Sequence, residues 1–166
     1  MIDLIISPDG SFNDFLFQNP QLTSVVPAKC PEISSDVRLL HEFVEHSARN
    51  RPDKVAFEFA TAIHNGHIDS RCWTYAQLDA AGNRIAHLLL KENIEPGSLI
   101  GMCFDKCPEA SFAMLGILKA GCAFVALDPG APSARKKFIV EDSAASLVLS
   151  MGKQSEHFCQ EIDVPV

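Results

Sequence analysis

The sequence predicts an α/β fold: an open, largely parallel sheet with flanking helices, preceded by an N-terminal β-hairpin. The first observation is the order of the elements, because apolar strand segments at 99–104, 122–127 and 146–149 alternate with helical segments at 108–120 and 133–142. Strand, helix, strand, helix, strand makes two crossover units, and such units join parallel strands. The second observation is that the first of these strands is apolar throughout, which is typical of a strand covered on both faces.

The predicted hairpin precedes this alternating part. Residues 55–59 alternate between apolar side chains and small or charged ones, the period-two pattern of a strand with one buried face. A second strand candidate at 70–73 follows the pair Asn65-Gly66, which tolerates the positive φ angles of a tight turn.

Two further helices are indicated by their ends. An amphipathic helix at 39–50 is ended by the Arg-Pro pair that follows it, since a residue before proline is pushed out of the helical region. Thr74 offers a capping hydroxyl, and Gln77 three residues later completes a capping box, so a second helix is predicted to begin there and to run to Lys91. Leu78 belongs to the apolar stripe of that helix.

Composition excludes several classes of function. Of the 166 residues, 47% are hydrophobic and 21% charged, as in an ordinary globular domain, and the net charge of −7 leaves no broad basic surface for nucleic acid. The N-terminus lacks a basic region followed by an apolar core, and no apolar run reaches membrane-spanning length. We therefore expect no nucleic-acid or membrane partner and a cytoplasmic location.

No metal site is expected. Cys103 and Cys107 are the closest pair of cysteines, but no second pair with zinc-ligand spacing follows, and reduced core or turn thiols are the interpretation that we favour. His64 and His67 flank the predicted turn without a carboxylate or thiol partner in register. The six cysteines are Cys30, Cys72, Cys103, Cys107, Cys122 and Cys159.

A specific resemblance begins at residues 118–129, which read LKAGCAFVALDP. This segment resembles the second core motif of adenylation domains in the adenylate-forming (AMP-binding) enzyme superfamily, usually written L-K-A-G-x-A-Y-V-P-I-D. Phe124 stands where the motif has tyrosine, and Ala126 stands where it has proline. The predicted helix end, glycine cap, strand and turn follow the motif's order. Its structural residues here are Lys119, Ala120, Gly121, Phe124, Asp128 and Pro129.

Two upstream segments extend the resemblance over about residues 38–150. Residues 73–78, WTYAQL, are similar to the first core motif, L-T-Y-x-E-L, and supply Thr74, Tyr75 and Leu78 as further structural motif residues. Residues 51–56, RPDKVA, look like the R-x-P-D-x-x-A stretch that opens these domains. Residues 103–106, CFDK, resemble the fungal branch of nonribosomal peptide synthetases.

The resemblance implies an incomplete N-terminal subdomain of the adenylate-forming fold. Family members join ATP and a carboxylic substrate, usually an amino acid, as an acyl-adenylate, and then pass the acyl group to a phosphopantetheine thiol with the help of Mg²⁺. The family's Thr/Ser/Gly-rich phosphate loop is expected beyond the strand near Leu149, and residues 150–155 do not match it. No catalytic or metal-binding residue can therefore be carried over, no cofactor-binding residue is identified, and the chain alone is expected to be inactive and without a cofactor of its own.

The predicted organisation is a lead-in segment at 1–36, a partial adenylation domain at 37–150 and a tail at 151–166. Its expected partners are the remainder of the adenylation domain and a carrier domain in the parent. Three alternatives remain open on the sequence alone. The chain could come from an acyl-CoA ligase-like relative, or it could be a non-catalytic module that binds a partner protein through an exposed sheet edge. A small flavodoxin-like nucleotide-binding domain would also fit the α/β order, although the sequence lacks a phosphate loop.

Overall fold

A computed structural model describes residues 37–64, 67–151 and 165–166, all within one compact unit, Val37–Val166. The elements in chain order are α1 (Leu40–Asn50), β1 (Val55–His64), β2 (His67–Thr74), α2 (Tyr75–Lys91), β3 (Leu99–Cys103), α3 (Pro108–Lys119), β4 (Ala123–Ala126), α4 (Ser133–Asp142) and β5 (Leu147–Ser150). The predicted α/β class and element order are confirmed. The lead-in segment and the Asn65-Gly66 turn lie outside the described residues.

The last three strands form the predicted parallel sheet, in the order β4-β3-β5. Ile100 of the central strand is the partner of Phe124 on one side and of Leu147 on the other. As predicted, β3 is almost wholly buried, whereas β4 lies at an edge in the described part of the chain and keeps half of its residues exposed. An edge strand lacks one neighbour, so an apolar sequence alone does not bury it.

Helices cover both faces of this sheet. On one face Ile100 and Met102 pack in a core with residues of α2 and α3, among them Leu89 and Ile117. On the other face Cys103 packs with residues that include Val140 of α4 and Val148 of β5. Because neighbouring residues of β3 point to opposite faces, one short apolar strand supplies the middle of both cores.

The hairpin is longer than its sequence pattern suggests, since β1 and β2 pair antiparallel over most of their length, with two irregularities in the register. Phe57 of β1 lies opposite Trp73 of β2, with ring centroids 5.6 Å apart. Both rings also contact Phe112 of α3 edge-on, at 6.3 and 5.5 Å. Aromatic contacts of this kind therefore hold the hairpin against the helical layer.

Three helices end in the same backbone arrangement. After α3, Gly121 has φ +73°, its amide donates to the Leu118 carbonyl, and the next amide donates to the Ile117 carbonyl. This is a Schellman motif, and it confirms the predicted glycine cap. Asn93 after α2 (φ +58°) and Ala144 after α4 (φ +50°) make the equivalent bonds, which the sequence pattern did not reveal.

Candidate functional site

The second-motif segment ends in an ion cluster that joins three helices. Lys119, the last residue of α3, places Nζ 2.8 Å from Glu45 Oε1 of α1, 2.8 Å from Asp79 Oδ1 of α2 and 2.8 Å from Asn83 Oδ1, also of α2. Its side chain is only 6% exposed. The contacts with Glu45 and Asn83 are hydrogen bonds, whereas Asp79 Oδ1 is buried without a hydrogen-bond partner and contributes its charge. We call these four residues the Lys119 cluster.

The electrostatics of the Lys119 cluster favour the charged lysine. Burial by itself would lower the pKa of Lys119, but the contacts with Asp79 and Glu45 outweigh burial and raise the pKa above its ordinary value. A polar groove of about 410 Å³ runs over the cluster, with Arg49 on its rim. Because Glu45 and Asp79 already neutralise its charge, Lys119 serves to join helices rather than to hold an anion.

The other second-motif residues shape the backbone between α3 and α4. Ala120 is buried as the C-cap of α3, and Phe124 packs half-buried against the core. Asp128 is exposed beyond β4, where its Oδ1 accepts from the Gly130 amide at 2.9 Å. The Pro129 carbonyl accepts from the Lys136 ammonium of α4 at 3.3 Å. These bonds fix the turn between β4 and α4, the helix that packs on the face of the sheet opposite α2 and α3.

The first-motif residues begin α2 as predicted. The Thr74 hydroxyl accepts from the Gln77 amide at 3.3 Å, and Gln77 Oε1 accepts from the Thr74 amide at 2.9 Å, so the capping box is complete. Two more first-turn amides are satisfied by the preceding turn, because Tyr75 donates to the Lys54 carbonyl at 3.0 Å and Ala76 to the Pro52 carbonyl at 3.1 Å. Leu78, one turn later, is half-buried in the apolar groove beneath α1.

The RPDKVA segment and the first motif are therefore one structural unit. The first amides of a helix have no acceptor within the helix. The turn between α1 and β1 supplies carbonyl acceptors to two such amides of α2. Sequence reasoning found both motifs but not this connection, because backbone carbonyls leave no trace in side-chain identity.

The carboxyl ends of the strands, where ligands of such sheets bind, carry two groups of residues. At the ends of β3 and β4, Asp105, Asp128 and Lys136 surround Cys103. Burial is the main cause that raises the pKa of this thiol; Lys136 opposes the rise, and the two carboxylates add to it. On the opposite face an open apolar groove of about 260 Å³ reaches the end of β5, with Ser150 Oγ buried and without a hydrogen-bond partner.

Metal-binding clusters and membrane-spanning helices were not expected, and the following findings concern the described ranges, 37–64, 67–151 and 165–166. There, no three histidine, cysteine or acidic residues lie together in a way that could hold a metal ion. No disulfide joins Cys72, Cys103, Cys107 and Cys122. None of the helices that the structure describes is long and apolar enough to cross a membrane. The side chains of His64 and His67, and the remaining cysteines, lie outside the described residues.

Comparison with known proteins decides the family. Residues 44–165 match the family described as AMP-binding enzyme. The chain belongs to the AMP-binding enzyme family.

Relatives of this AMP-binding chain are peptide synthetases. Nonribosomal peptide synthetase 2 of Cochliobolus heterostrophus is 58% identical over 145 residues, which cover 87% of the chain and 3% of that protein. The hydroxamate-type ferrichrome siderophore peptide synthetase of Schizosaccharomyces pombe is 43% identical over 133 residues, which cover 80% of the chain and 3% of that protein. The chain thus spans a very small part of the relatives that it matches.

A solved structure agrees with the fold. The nonribosomal peptide synthetase FmoA3 (S1046A) superposes with a TM-score of 0.60 at 29% identity, over 78% of the chain and 12% of FmoA3. The resemblance to the N-terminal part of an adenylation domain of a fungal synthetase is confirmed, and neither the acyl-CoA ligase-like origin nor the partner-binding module is favoured.

The described residues do not form a phosphate cradle: the Lys119 ammonium is paired with two carboxylates, and the groove near β5 is mostly apolar. The residues that sequence reasoning missed are structural ones, namely the partners of Lys119. A signal was available, because Asp79 and Asn83 are four residues apart and so share one face of α2.

Proposed function

We propose that this chain is the N-terminal part of an adenylation domain whose parent activates an amino acid with ATP as an aminoacyl-adenylate. In the same proposal the parent uses Mg²⁺ and loads the product onto the phosphopantetheine thiol of a carrier domain during nonribosomal peptide synthesis. The observation that carries the proposal is the second-motif segment, whose helix end, glycine cap, strand and turn aspartate stand in the motif's order. This segment lies in a chain 58% identical to a synthetase.

The part of the domain described here supplies a scaffold for that reaction. Its motif residues cap helices, close turns and join α1, α2 and α3. The remainder of the adenylation domain is then the partner that brings the phosphate loop, the substrate pocket and the catalytic groups. In this proposal residues 37–150 belong to the domain core, 1–36 lead into it, 151–166 continue from it, and the parent works in the cytoplasm.

The test uses the native polypeptide that carries these residues, captured from its source cells with an antibody against them. Its intact mass should be that of a protein of several domains. The captured polypeptide should exchange pyrophosphate into ATP only when one amino acid of a panel is added. The panel should include a hydroxamate-bearing amino acid, because one relative is named as a hydroxamate-type synthetase.

Two controls give the result its meaning. Heat-treated polypeptide should show no exchange, and the 166-residue chain by itself should show none with any amino acid. A multidomain polypeptide that is folded by circular dichroism, yet supports no amino-acid-dependent exchange, would contradict the proposal. Exchange that depends on a fatty acid instead would point to an acyl-CoA ligase-like parent.

A further inference from the structure

Helix α1 makes few apolar contacts within the part of the chain that the structure describes. None of its residues is buried, and Leu40 and Phe43 are 74% and 42% exposed. Beneath it an apolar groove of about 190 Å³ remains open, lined in part by Leu40 and Val44 on one side and Leu118 on the other. Most helical stability in proteins comes from a packed apolar face, and α1 has only a partial one.

Polar bonds hold α1 instead, at two places. At its C-terminal end the turn through Pro52 is bonded to the first turn of α2, as described above. In its middle, Glu45 makes the 2.8 Å contact with Lys119. The N-terminal end is satisfied locally, since Glu42 Oε2 accepts from the Leu39 amide at 2.9 Å and so gives no connection to another element.

We infer that breaking the Glu45–Lys119 ion pair lets α1 open as a local unit while the sheet and the α2–α3 pair stay folded. Asp79 and Asn83 make this possible, because Asn83 keeps its hydrogen bond and Asp79 its charge contact with the ammonium when Glu45 leaves. Asp79 then still neutralises the Lys119 ammonium, so opening α1 does not leave this charge without an opposite charge beside it. The motif lysine thus acquires a conformational role that is separate from the chemistry of the family.

This ion pair also explains why a long, charged side chain such as lysine stands at position 119. A neutral residue at the end of α3 could pack between α2 and α3, but it could not neutralise a carboxylate from a third helix. The long side chain reaches past Asp79 to α1, and its positive charge lies 2.8 Å from a carboxylate oxygen of each of two helices.

Hydrogen exchange followed by mass spectrometry on the native polypeptide tests the inference. In Glu45→Ala, peptides that cover residues 40–50 should exchange at least about tenfold faster than in the wild type, because a charge-assisted bond is lost. Peptides that cover β3 and α3 should be unchanged. Glu45→Gln, which keeps an acceptor but loses the charge, should give a smaller increase and provides a second variant if Glu45→Ala does not fold.

Glu42→Ala is the matched control, since it makes the same change of residue type on the same helix without touching the Lys119 cluster. It should accelerate exchange only in the first turn of α1, where the Glu42 carboxylate caps the helix. Unchanged exchange over residues 40–50 in both Glu45 variants would overturn the inference. So would an equal acceleration in β3, because α1 would then open only with the whole domain.

Discussion

Gly116 of α3 lies directly against Ile85 of α2. A methyl group placed on Gly116 would come within 2.6 Å of Ile85 Cγ2 and 2.8 Å of the Gly82 carbonyl oxygen, both far inside van der Waals contact. The two helices approach this closely because Gly116 leaves room for Ile85, and Gly82 leaves room for the Leu115 side chain, which would lie 2.8 Å from a methyl group at that position. The contact between α2 and α3, on which one core of the sheet rests, therefore depends on hydrogen atoms at these two positions.

Gly116→Ala should destabilise the chain by about 2 kcal/mol. Alanine favours a helix over glycine by about 1 kcal/mol, but overpacking costs roughly 1–3 kcal/mol or more, and a backbone carbonyl cannot rotate away as a side chain can. Urea unfolding of Gly116→Ala and of the wild type measures the difference in their free energies of unfolding. Gly130→Ala is the control, since its methyl group would meet only Asp128 Oδ1 at 3.4 Å, and a similar loss there would contradict the explanation.

Ala144→Gly should stabilise the chain by about 0.5 kcal/mol. Ala144 has φ +50°, a region that costs a residue with a Cβ roughly 1–2 kcal/mol, and glycine recovers this at an entropic cost of about 0.4–1 kcal/mol in the unfolded chain. The reciprocal change Gly121→Ala, at φ +73°, should destabilise by a similar amount. Thermal unfolding of both variants should shift the midpoint in opposite directions; shifts of the same sign would refute the argument.

Much of the fold could be predicted because local signals and tertiary structure agree. The capping box at Thr74, the glycine after α3 and the apolar strand at β3 each fixed an element to within a residue or two. The hairpin extended further than its alternating pattern, since Ala60 and the residues after it continue the backbone pairing without apolar alternation. Backbone pairing, unlike burial, places no demand on side-chain type.

The site was predicted as motif residues without their partners. Lys119 could be identified from the second motif, but Glu45 lies 74 positions earlier, and no local pattern links residues so far apart. Asn93 and Ala144 were missed as helix caps for a different reason. Asparagine sometimes replaces glycine in this conformation, so Asn93 carries a weak signal, whereas Ala144 carries none and is revealed only by its backbone bonds to the preceding turn.

The cysteines should differ widely in reactivity. Cys72 is exposed on β2, whereas Cys103 is fully buried and burial raises its thiol pKa, which lowers the reactive thiolate fraction. Iodoacetamide at neutral pH should label Cys72 at least about tenfold faster than Cys103, because local opening has to precede the second reaction. Peptide mass spectrometry measures both rates, and they should converge in urea. Equal rates in the native chain would contradict the buried position of Cys103.

The free energy by which Lys119 stabilises the chain should decrease at alkaline pH. Its folded pKa is raised, so its contribution is complete below the ordinary lysine pKa of about 10.4 and is lost as the pH rises through the higher folded value. Lys119→Met should cost about 2–3 kcal/mol at pH 8, less than a fully buried pair, because Glu45 and Asp79 keep 29% and 23% exposure. Urea unfolding between pH 8 and 12 measures the difference from the wild type.

That difference should shrink above about pH 10.4, where the unfolded wild-type chain loses the Lys119 proton and the methionine variant has none to lose. Burial raises the pKa of the Cys103, Cys107 and Cys122 thiols, but these groups are the same in both chains and cancel in the comparison. Lys137→Met is the matched control, because Lys137 pairs with Glu141 at 3.8 Å on the exposed face of α4 and should cost under about 0.5 kcal/mol. A Lys119→Met difference that stayed constant from pH 8 to 12 would show that the stabilisation comes from packing of the lysine chain and not from its charge.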